Sequence, residues 1–598
     1  MVSMAIPKCA SRLALLSAFF WQSHVAFGAC TIKRAEIPVT MAGTQPLVTA
    51  RIEDQEVHLL LDSGAFYSTL SSAGARQLNL TVQTGPEGLS MAGIGGTARP
   101  FVTRVRSFTL QNTVFKNWQF LVQDNELGSG TVGVLGQDLL GSADAEYDLG
   151  TGSMRIVNPG DACGQSSMAY WAGAQPVSEL KIIRRQGNGP VEDTITTASV
   201  NGIKMRVQFD SGAERSLMTL DAAARAGLTP AGKGVIPGEQ YGGFGPHQRR
   251  TWIAPVDEFE IGGEKLTNTR LRFGDFQMGD VDMLIGADFF LSHRIYVANR
   301  QNKLYFTYSG GPIFNLSTTP VLLSQAGSGH EATSTEPERF PDLTDADAYA
   351  RRGAALEARQ NLKQALVDFN RACELAPGVG QYFRQRGMIH AELGHYSIAL
   401  ADLDQAVSLR PSDLDALVFR ARLHHAGSDT AGAQRDLDEA DRVAAAQADL
   451  RREMGDLYLQ LDLLDAAISQ FDRWIAAHDG EARIPAVLSD RCWARALKGA
   501  ELEKALQDCN IALIGDYKSA TRLSRRGTVH VRRGDLSNAL SDYETALKID
   551  PKDAWSLYGR GIVRRRQGAV EAGDSDIAAA IAVLPSIGDD AVRHGLKE

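Results

Sequence analysis

The chain is poor in cysteine and has no excess of basic residues. Only six of its 598 residues are cysteines, and none has the spacing or the neighbouring histidines of a metal site. Its 62 lysines and arginines are outnumbered by 71 aspartates and glutamates, which argues against a nucleic-acid-binding protein. Beyond the N-terminal region, no apolar stretch is long enough to span a membrane. The sequence therefore predicts no metal site, no nucleic-acid partner and no transmembrane segment.

The N-terminus has the features of an export signal. Two basic residues precede a short apolar segment at 13–21, and small residues follow it up to Ala29. We therefore expect residues 1–29 to be a signal peptide and the mature protein to be periplasmic or secreted. One alternative is a buried N-terminal helix. Another is a lipoprotein signal ending at Cys30, for which Phe27 is a poor fit.

The cysteines allow two disulfides, which an exported protein can form. Cys30 opens the mature chain and Cys163 closes the first of two repeats described below, so these two are candidates to pair. Cys492 and Cys509 are 17 residues apart on consecutive predicted helices, where a disulfide would join a helical hairpin. Cys373 is left without a predicted partner.

The first half of the chain repeats itself. An apolar strand runs into Asp62-Ser63-Gly64-Ala65, and the same pattern returns at Asp210-Ser211-Gly212-Ala213. Each copy continues through a glycine-rich stretch to a segment of the form apolar-apolar-Gly-x-Asp, around Gly136 and Gly286. Because three landmarks recur in the same order at nearly equal spacing, we predict an internal duplication. Short apolar segments bounded by turn residues predict that both copies are built of β-strands.

From about residue 344 the pattern becomes helical with a period of 34 residues. Gly353 and Gly387 are 34 residues apart, and so are Pro377 and Pro411. This period, with small residues at fixed places, resembles the tetratricopeptide repeat in six or seven units, with one irregular boundary near 479–483. The resemblance implies stacked helical hairpins that bind a protein partner.

The duplicated Asp-Ser-Gly-Ala motifs resemble the aspartic protease family, with the small retropepsin-like lobe as the closest form. The resemblance covers about residues 36 to 308. It implies that Asp62 and Asp210 are a catalytic pair that shares one proton. One carboxylate would activate a water while the other, protonated, would polarise the carbonyl of a peptide or protein substrate. This chemistry needs no metal, no cofactor and no covalent intermediate.

The turns and the glycine-rich stretches would support that pair. Gly64 and Gly212 allow the bend that brings each aspartate to the surface of its lobe. Ser63 and Ser211 occupy a position that, in the family, locks the two loops together. The glycine-rich stretches fall where the family has its flap, a mobile hairpin that closes over the substrate. The candidate flap residues are Ile94, Gly95, Gly96, Tyr241 and Gly243.

Simpler interpretations of these features remain open at this point. Asp62 or Asp210 alone could cap the helix that follows it, and the glycines could form ordinary hairpin turns. Two carboxylates that meet within one chain would make an intramolecular pseudo-dimer, whereas otherwise each lobe would pair with its copy in a second subunit. A chain that keeps the fold without the activity would be a non-catalytic peptide- or protein-binding scaffold.

The sequence thus predicts a multidomain protein, with all-β aspartic protease-like lobes in tandem followed by an all-α tetratricopeptide solenoid. The predicted segments are a signal peptide at 1–29, lobe 1 at 30–160, a connector at 161–190, lobe 2 at 191–309, a linker at 310–343 and the repeat array at 344–598.

Overall fold

The chain forms two β lobes followed by a series of helices, which confirms the predicted fold class. The chain divides into two compact units, Met1–Pro411 and Ser412–Glu598. The computed structural model describes residues 23–27, 30–86, 89–94, 96–123, 128, 130–184, 194–239, 241–242, 249–314, 343–445, 448–478, 481, 483–514 and 518–596.

The first lobe is built of strands with two short helices, α1 (Ser72–Gln77) and α2 (Gln137–Leu140). Its strands are β1 (Ser23–Phe27), β2 (Cys30–Pro38), β3 (Thr40–Ala42), β4 (Gln45–Ile52), β5 (Gln55–Leu61), β6 (Thr69–Ser71), β7 (Val82–Thr84), β8 (Met91–Gly93), β9 (Gly96–Ala98), β10 (Phe101–Leu110), β11 (Thr113–Gln123), β12 (Thr131–Leu135), β13 (Asp144–Asp148) and β14 (Ser153–Pro159).

The second lobe repeats this composition, with short helices α3 (Leu220–Arg225) and α4 (Ala287–Phe290). Its strands are β15 (Ser178–Lys181), β16 (Ile195–Val200), β17 (Ile203–Phe209), β18 (Leu217–Thr219), β19 (Ile236–Pro237), β20 (Thr251–Ile261), β21 (Glu264–Gly274), β22 (Met283–Ile285), β23 (His293–Ala298) and β24 (Lys303–Tyr308).

The two lobes have the same topology. The sheet order β4-β5-β12-β6-β11-β10 in the first lobe corresponds to β16-β17-β22-β18-β21-β20 in the second. In each lobe an apolar strand, β5 or β17, pairs in parallel with the strand that precedes the Gly-x-Asp segment. Each sheet then closes on itself through the pairing of β4 with β10 or of β16 with β20. The duplication seen in the sequence is therefore a duplication of the fold.

A third sheet joins the lobes, because it takes strands from both in the order β1-β2-β14-β13-β23-β24-β15. Its central pairing is antiparallel and places Tyr147 of the first lobe opposite Ile295 of the second. Beside it, the fully buried carboxylate of Glu146 lies 2.6 Å from Arg155 and 2.5 Å from Arg294. The two lobes are thus connected by backbone hydrogen bonds and by a buried ion pair.

Fifteen helices follow in the described part of the chain, arranged as seven consecutive hairpins and a final helix. They are α5 (Ala346–Ala358), α6 (Leu362–Leu375), α7 (Gly380–Glu392), α8 (Tyr396–Leu409), α9 (Leu414–Ala426), α10 (Thr430–Val443), α11 (Leu450–Gln460), α12 (Leu464–Ala477), α13 (Ile484–Lys498), α14 (Leu502–Ile514), α15 (Ala520–Arg533), α16 (Leu536–Ile549), α17 (Ala554–Arg566), α18 (Val570–Val583) and α19 (Ile587–Arg593).

The repeating glycines let the two helices of a hairpin pack closely. A β-carbon on Gly353 would lie 3.0 Å from the ring of Phe369 in the partner helix, and one on Gly527 would lie 2.8 Å from that of Tyr543. A second repeating feature is an arginine that holds an aspartate sixteen residues later through Nε and Nη2, as Arg352 holds Asp368. Packing and ion pairing thus recur with the period of the sequence.

The first two helical hairpins, α5 to α8, belong to the same compact unit as the lobes. Helix α5 contacts β3, and Tyr349 and Phe369 belong to the same buried apolar cluster as Val39 and Leu149 of the first lobe. A β-carbon on Gly152 would lie 2.7 Å from Cβ of Arg351. The first hairpins are therefore packed against the lobes, although the sequence between residues 310 and 343 reads as a linker.

Two disulfides are present, Cys30–Cys163 with an S–S distance of 2.06 Å and Cys492–Cys509 with one of 2.08 Å. Cys373 is a buried free thiol. Across the residues that the structure covers, none of the helices combines the length and the apolarity needed to cross a membrane.

Candidate active site

The first aspartate turn is fixed by backbone hydrogen bonds. Strand β5 ends at Leu61, and the amide of Asp62 donates to the carbonyl of Leu135 at 3.1 Å. The Oδ1 atom of Asp62 accepts hydrogen bonds from the amides of Gly64 and Ala65, both at 2.8 Å. The helix that follows is capped by Ser71, so the interpretation of Asp62 as a helix cap is wrong.

The second turn has the same geometry. The amide of Asp210 donates to the carbonyl of Ile285 at 2.9 Å. Its Oδ1 accepts from the amides of Gly212 at 3.0 Å and of Ala213 at 3.1 Å. Thr219 caps the following helix, so Asp210 is not a helix cap either. Each aspartate is therefore held in a defined orientation at the end of a buried strand.

Ser63 and Ser211 connect the two turns through four hydrogen bonds. The Ser63 hydroxyl donates to the carbonyl of Phe209 at 3.1 Å and accepts from the amide of Ser211 at 2.9 Å. The Ser211 hydroxyl donates to the carbonyl of Leu61 at 2.7 Å and accepts from the amide of Ser63 at 3.0 Å. All the atoms involved are buried, so loss of either hydroxyl leaves buried backbone groups without a partner.

The carboxyl groups of Asp62 and Asp210 each lie against the turn of the other lobe. A β-carbon on Gly64 would come within 2.4 Å of Cγ of Asp210, and one on Gly212 within 2.3 Å of Cγ of Asp62. Removal from water raises the pKa of Asp62, and the amides of Gly64 and Ala65 only partly offset this. The pKa of Asp210 is raised well above its ordinary value by burial and by the charge of Asp62. A pair of this kind titrates as a unit and retains one proton over an interval of pH.

The other two recurring aspartates, Asp138 and Asp288, accept hydrogen bonds from the loops that follow the aspartate turns. Oδ1 of Asp138 accepts hydrogen bonds from the amide of Ser68 at 2.9 Å and from its hydroxyl at 2.7 Å. Asp288 binds the amide and hydroxyl of Ser216 in the same way. Burial raises the pKa of Asp138 to about 6 in spite of these hydrogen bonds. Their positions fit the structural role that the resemblance implies.

The described parts of the two glycine-rich stretches approach each other. Strands β8 and β9 pair with Gly93 opposite Gly96, and Ile94 lies at the turn between them. In the second lobe Tyr241 pairs with Arg249, whose Nε donates to the carbonyl of Ile94 at 3.1 Å.

Two of the candidate flap residues, Gly95 and Gly243, lie outside the described residues. Burial raises the pKa of the Tyr241 hydroxyl, and the charges of Glu214 and then Asp210 raise it further. Tyr241 therefore lies close to the pair.

Several residues around the pair were not anticipated from the sequence. The side-chain amide of Gln137 donates to the carbonyl of Ser63 at 2.7 Å, and Tyr147 lies close enough to Asp62 for the charge of that carboxyl, after burial, to raise the pKa of its hydroxyl. Ser68 and Ser216 were missed although each stands six residues after its aspartate. That repeated spacing was a usable signal, whereas nothing local marks Gln137 or Tyr147.

Comparison with known proteins supports both halves of this description. Residues 48–139 and 196–289 each match the aspartyl protease family. Residues 384–440 match the tetratricopeptide repeat, and residues 527–568 match a TPR repeat family. The two protease matches each contain one of the aspartate turns and one of the Gly-x-Asp segments.

Individual relatives resemble only part of the chain. A curated relative, the protein SGT1 homolog of Bos taurus, is 31% identical over 91 residues, which are 15% of this chain and 27% of that protein. The chain therefore spans about a quarter of the length of that relative.

Two solved structures also resemble part of the chain, each with a sequence identity of 17%. YrrB, a TPR protein with an unusual peptide-binding site, has a TM-score of 0.29 and aligns with 32% of this chain and 97% of its own. PilW, a type IV pilus biogenesis factor, has a TM-score of 0.29 and aligns with 34% of this chain and 94% of its own. The family matches alone show that the chain carries two tandem lobes of the aspartyl protease type followed by tetratricopeptide repeats.

Proposed function

We propose that this chain is an aspartic endopeptidase in which Asp62 and Asp210 activate a water molecule to cleave peptide bonds. The observation that carries the proposal is the close approach of each carboxyl group to the glycine of the opposite turn, which joins two motifs 148 residues apart in one chain. The serine hydrogen bonds support it, because they hold the two turns together without a second subunit.

The mechanism follows from the protonation of the pair. Burial and mutual repulsion disfavour the state in which both carboxyls are ionised, so one proton is shared. The ionised carboxylate accepts a proton from the water as the water attacks the substrate carbonyl, and the protonated carboxyl donates to the carbonyl oxygen. The backbone amides at each Oδ1 keep both carboxyls oriented during the reaction. The hairpins around Ile94 and Tyr241 would cover the substrate and exclude bulk water.

The test is the isosteric replacement of each aspartate, Asp62→Asn and Asp210→Asn, assayed on a library of proteome-derived peptides with cleavage sites read by mass spectrometry. Each variant should lose about 100- to 10,000-fold in kcat/KM, since each removes one partner of a proton transfer. A statine-type inhibitor should abolish the wild-type cleavage.

Asp54→Asn is the matched control, because Asp54 is an exposed turn residue of the same lobe. It should cleave like the wild type, which would rule out a contaminating protease as the source of activity. Cleavage that survives both active-site replacements would contradict the proposal. Peptide binding without any cleavage by the wild type would favour the non-catalytic scaffold instead.

We further propose that the helical repeats bind a protein partner or a protein substrate, as stacked tetratricopeptide hairpins commonly do. The match of residues 384–440 and 527–568 to repeat families supports this role. Capture of a partner by the full chain, lost in a chain that ends at Pro411, would test it.

Export to the periplasm or the medium is a proposal that the two disulfides support. Strand β1 lies inside the predicted leader and pairs with β2, so cleavage next to Ala29 would leave β2 at the edge of its sheet. The N-terminal sequence of protein recovered outside the cytoplasm tests this, and an intact N-terminus would contradict it.

A further inference from the structure

Arg272 is a buried guanidinium that lacks most of its hydrogen-bond partners. The residue is only 1% exposed, and its Nη1 donates to the hydroxyl of Thr251 at 2.9 Å. Among the described residues, its Nε and Nη2 have no hydrogen-bond partner. Burying a charged group with unpaired donors is costly, so a residue that keeps this arrangement calls for an explanation.

The unpaired edge is the one that arginine uses to bind a carboxylate. Nε and Nη2 form the parallel fork of a bidentate pair, and this chain uses the same fork repeatedly. Arg352 holds Asp368 through Nε and Nη2, each at 2.7 Å, and Arg386 holds Asp402 at 2.9 and 2.6 Å. Arg272 presents this fork with no carboxylate on it in the described structure.

Arg272 lies on the Asp210 side of the proposed cleft. It pairs with Leu217, seven residues after Asp210, on the strand that follows the aspartate turn. A β-carbon on Gly238 would lie 2.8 Å from Nη1, so the strand leading into the second hairpin passes directly over the guanidinium. Tyr241 lies close enough to both residues that the charges of Asp210 and Arg272 each shift the pKa of its hydroxyl.

The carboxylates nearest to Arg272 are engaged elsewhere or exposed. Asp288 is bound by the amide and hydroxyl of Ser216, and Glu239 is exposed to solvent. A second positive charge, Arg215, acts on the same guanidinium. The charges of Glu239 and Asp288 act on this guanidinium in the opposite sense to that of Arg215, but neither carboxylate occupies its Nε and Nη2 donors.

The first lobe has no counterpart of this charge. By the strand pairing, the equivalent residue is Leu121, because it pairs with Thr69, seven residues after Asp62. The position after the Asp-Ser-Gly-Ala turn also differs, with Phe66 in the first lobe and Glu214, a charge opposite to that of Arg272, in the second. Phe66 is 44% exposed. One half of the cleft is thus apolar where the other is charged.

We propose that Arg272 selects an acidic side chain of the substrate, an aspartate or glutamate that occupies the second-lobe half of the cleft near the scissile bond. The side-chain carboxylate would take the unpaired Nε and Nη2 donors, while the equivalent position around Leu121 would take an apolar side chain. This inference rests on the proposed function to the extent that a peptide binds across Asp62 and Asp210.

The test compares pairs of peptides that differ only by Glu against Gln at a single position within three residues of the scissile bond. At one of these positions, on one side of the scissile bond, wild-type protein should cleave the Glu peptide with a kcat/KM about 10- to 100-fold higher than that of the Gln peptide. This is the preference expected for a charged hydrogen-bonded pair. The ratio should fall to near one in Arg272→Leu and to an intermediate value in Arg272→Lys. The absence of an acidic preference, or its survival in Arg272→Leu, would overturn the inference.

Arg270→Leu is the matched control, since Arg270 lies on the same strand and donates to the carbonyls of Gly234 and Ile253. It removes the same charge and should leave the Glu-to-Gln ratio unchanged. A ratio that falls equally in this variant would indicate a long-range field instead of a contact, and would also overturn the inference.

A binding measurement separates this inference from the proposed function. The same peptide pairs, fluorescently labelled, are titrated with the full-length protein, so that a preference is measured even if no peptide is cleaved. Tighter binding of the Glu peptide that disappears in Arg272→Leu supports the inference whether or not cleavage occurs. Equal binding of both peptides by the wild type overturns it.

Thermal unfolding of Arg272→Leu distinguishes a substrate-binding role from a structural one, because the two roles predict opposite changes in Tm. If Arg272 is unpaired in the free protein, Arg272→Leu should raise the Tm by several degrees, as Leu121 already fills the equivalent position. A lower Tm would show that the guanidinium is satisfied within the fold, and the inference would fail.

Discussion

The carboxyl group of Asp210 lies directly against the α-carbon of Gly64. A β-carbon on Gly64 would come within 2.4 Å of Cγ of Asp210, and one on Gly212 would come within 2.3 Å of Cγ of Asp62. Each glycine is therefore required by the aspartate of the other lobe, not only by its own turn. This reciprocal contact explains why the Asp-Ser-Gly sequence is kept in both copies.

Gly64→Ala and Gly212→Ala should each displace the opposite carboxyl while the lobes remain folded. A misplacement of about 1 Å in a catalytic group costs on the order of 100-fold in rate, so we expect at least that loss in kcat/KM. Gly378→Ala is the control, because a β-carbon there meets nothing within 4 Å. Equal activity in Gly64→Ala and Gly378→Ala would show that the close approach is not needed.

The rate of cleavage should follow a bell-shaped curve against pH, in which the rise and the fall report the two ionisations of the Asp62/Asp210 pair. Cleavage requires one ionised and one protonated carboxyl, so it rises as the first proton leaves and falls as the second does. The pKa values of both aspartates are raised by burial, which places the active interval above that of ordinary carboxyls, which titrate near about 3.9. A profile of kcat/KM with a single ionisation below about pH 4 would exclude the pair as the catalyst.

Asp210→Asn should stabilise the protein at neutral pH. The native state binds its proton more tightly than the unfolded chain, because burial and Asp62 raise the pKa of Asp210. Stability therefore decreases as the pH rises from the unfolded pKa, about 3.9, through the native value, by about 1.4 kcal/mol for each unit of difference. The gain in Tm over wild type should be small near pH 4 and grow toward pH 7. A gain in Tm that is the same at every pH would contradict this account.

Glu146→Gln should weaken the connection between the lobes. Burial alone would raise the pKa of Glu146, but the charges of Arg294 and Arg155 lower it, so the carboxylate is ionised in the folded protein. Replacing it removes the nearer of the two buried carboxylates that pair with both arginines, while Asp148 remains 3.5 Å from Arg155 and 3.6 Å from Arg294. We therefore expect a loss near the lower end of the range of about 3–5 kcal/mol that breaking a buried pair costs. Glu36→Gln is a matched control, because Glu36 also pairs with Arg155 but is 45% exposed, and should cost at most about 1 kcal/mol. Similar losses in urea unfolding for both variants would contradict this account.

The sequence could predict those features that depend on residues close together in the chain, and could not predict those that depend on distant residues. The two aspartate turns follow apolar strands and recur in one frame, so the fold class and the pairing hypothesis were available from the pattern alone. The pairing of Tyr147 with Ile295 was not, because nothing near either residue indicates a strand partner in the other lobe.

Arg272 shows the same limit for the site. A charged residue between Leu271 and Phe273 reads as a solvent-facing position in an alternating strand. Its burial depends on the hairpin that passes over it, at Gly238, and that contact joins residues 34 positions apart. The apolar and charged halves of the cleft became visible only once strand pairing had aligned Arg272 with Leu121.

The boundary between the protease lobes and the helices provides the last prediction. The composition of residues 310–343 indicates a linker, yet α5 contacts the first lobe, and Tyr349 shares its buried cluster with Val39. A chain that ends at residue 343 would expose this apolar surface, and each large side chain left exposed costs about 1.5–3 kcal/mol.

We therefore expect a chain ending at Pro411 to fold and to keep cleaving short peptides, and a chain ending at residue 343 to be insoluble or to melt at a much lower temperature. Limited proteolysis and thermal unfolding of the two chains, compared with the full-length protein, measure the difference. Equal stability of the two truncated chains would mean that the first helical hairpins are dispensable for the lobes, and the boundary predicted from composition would then hold in the folded protein.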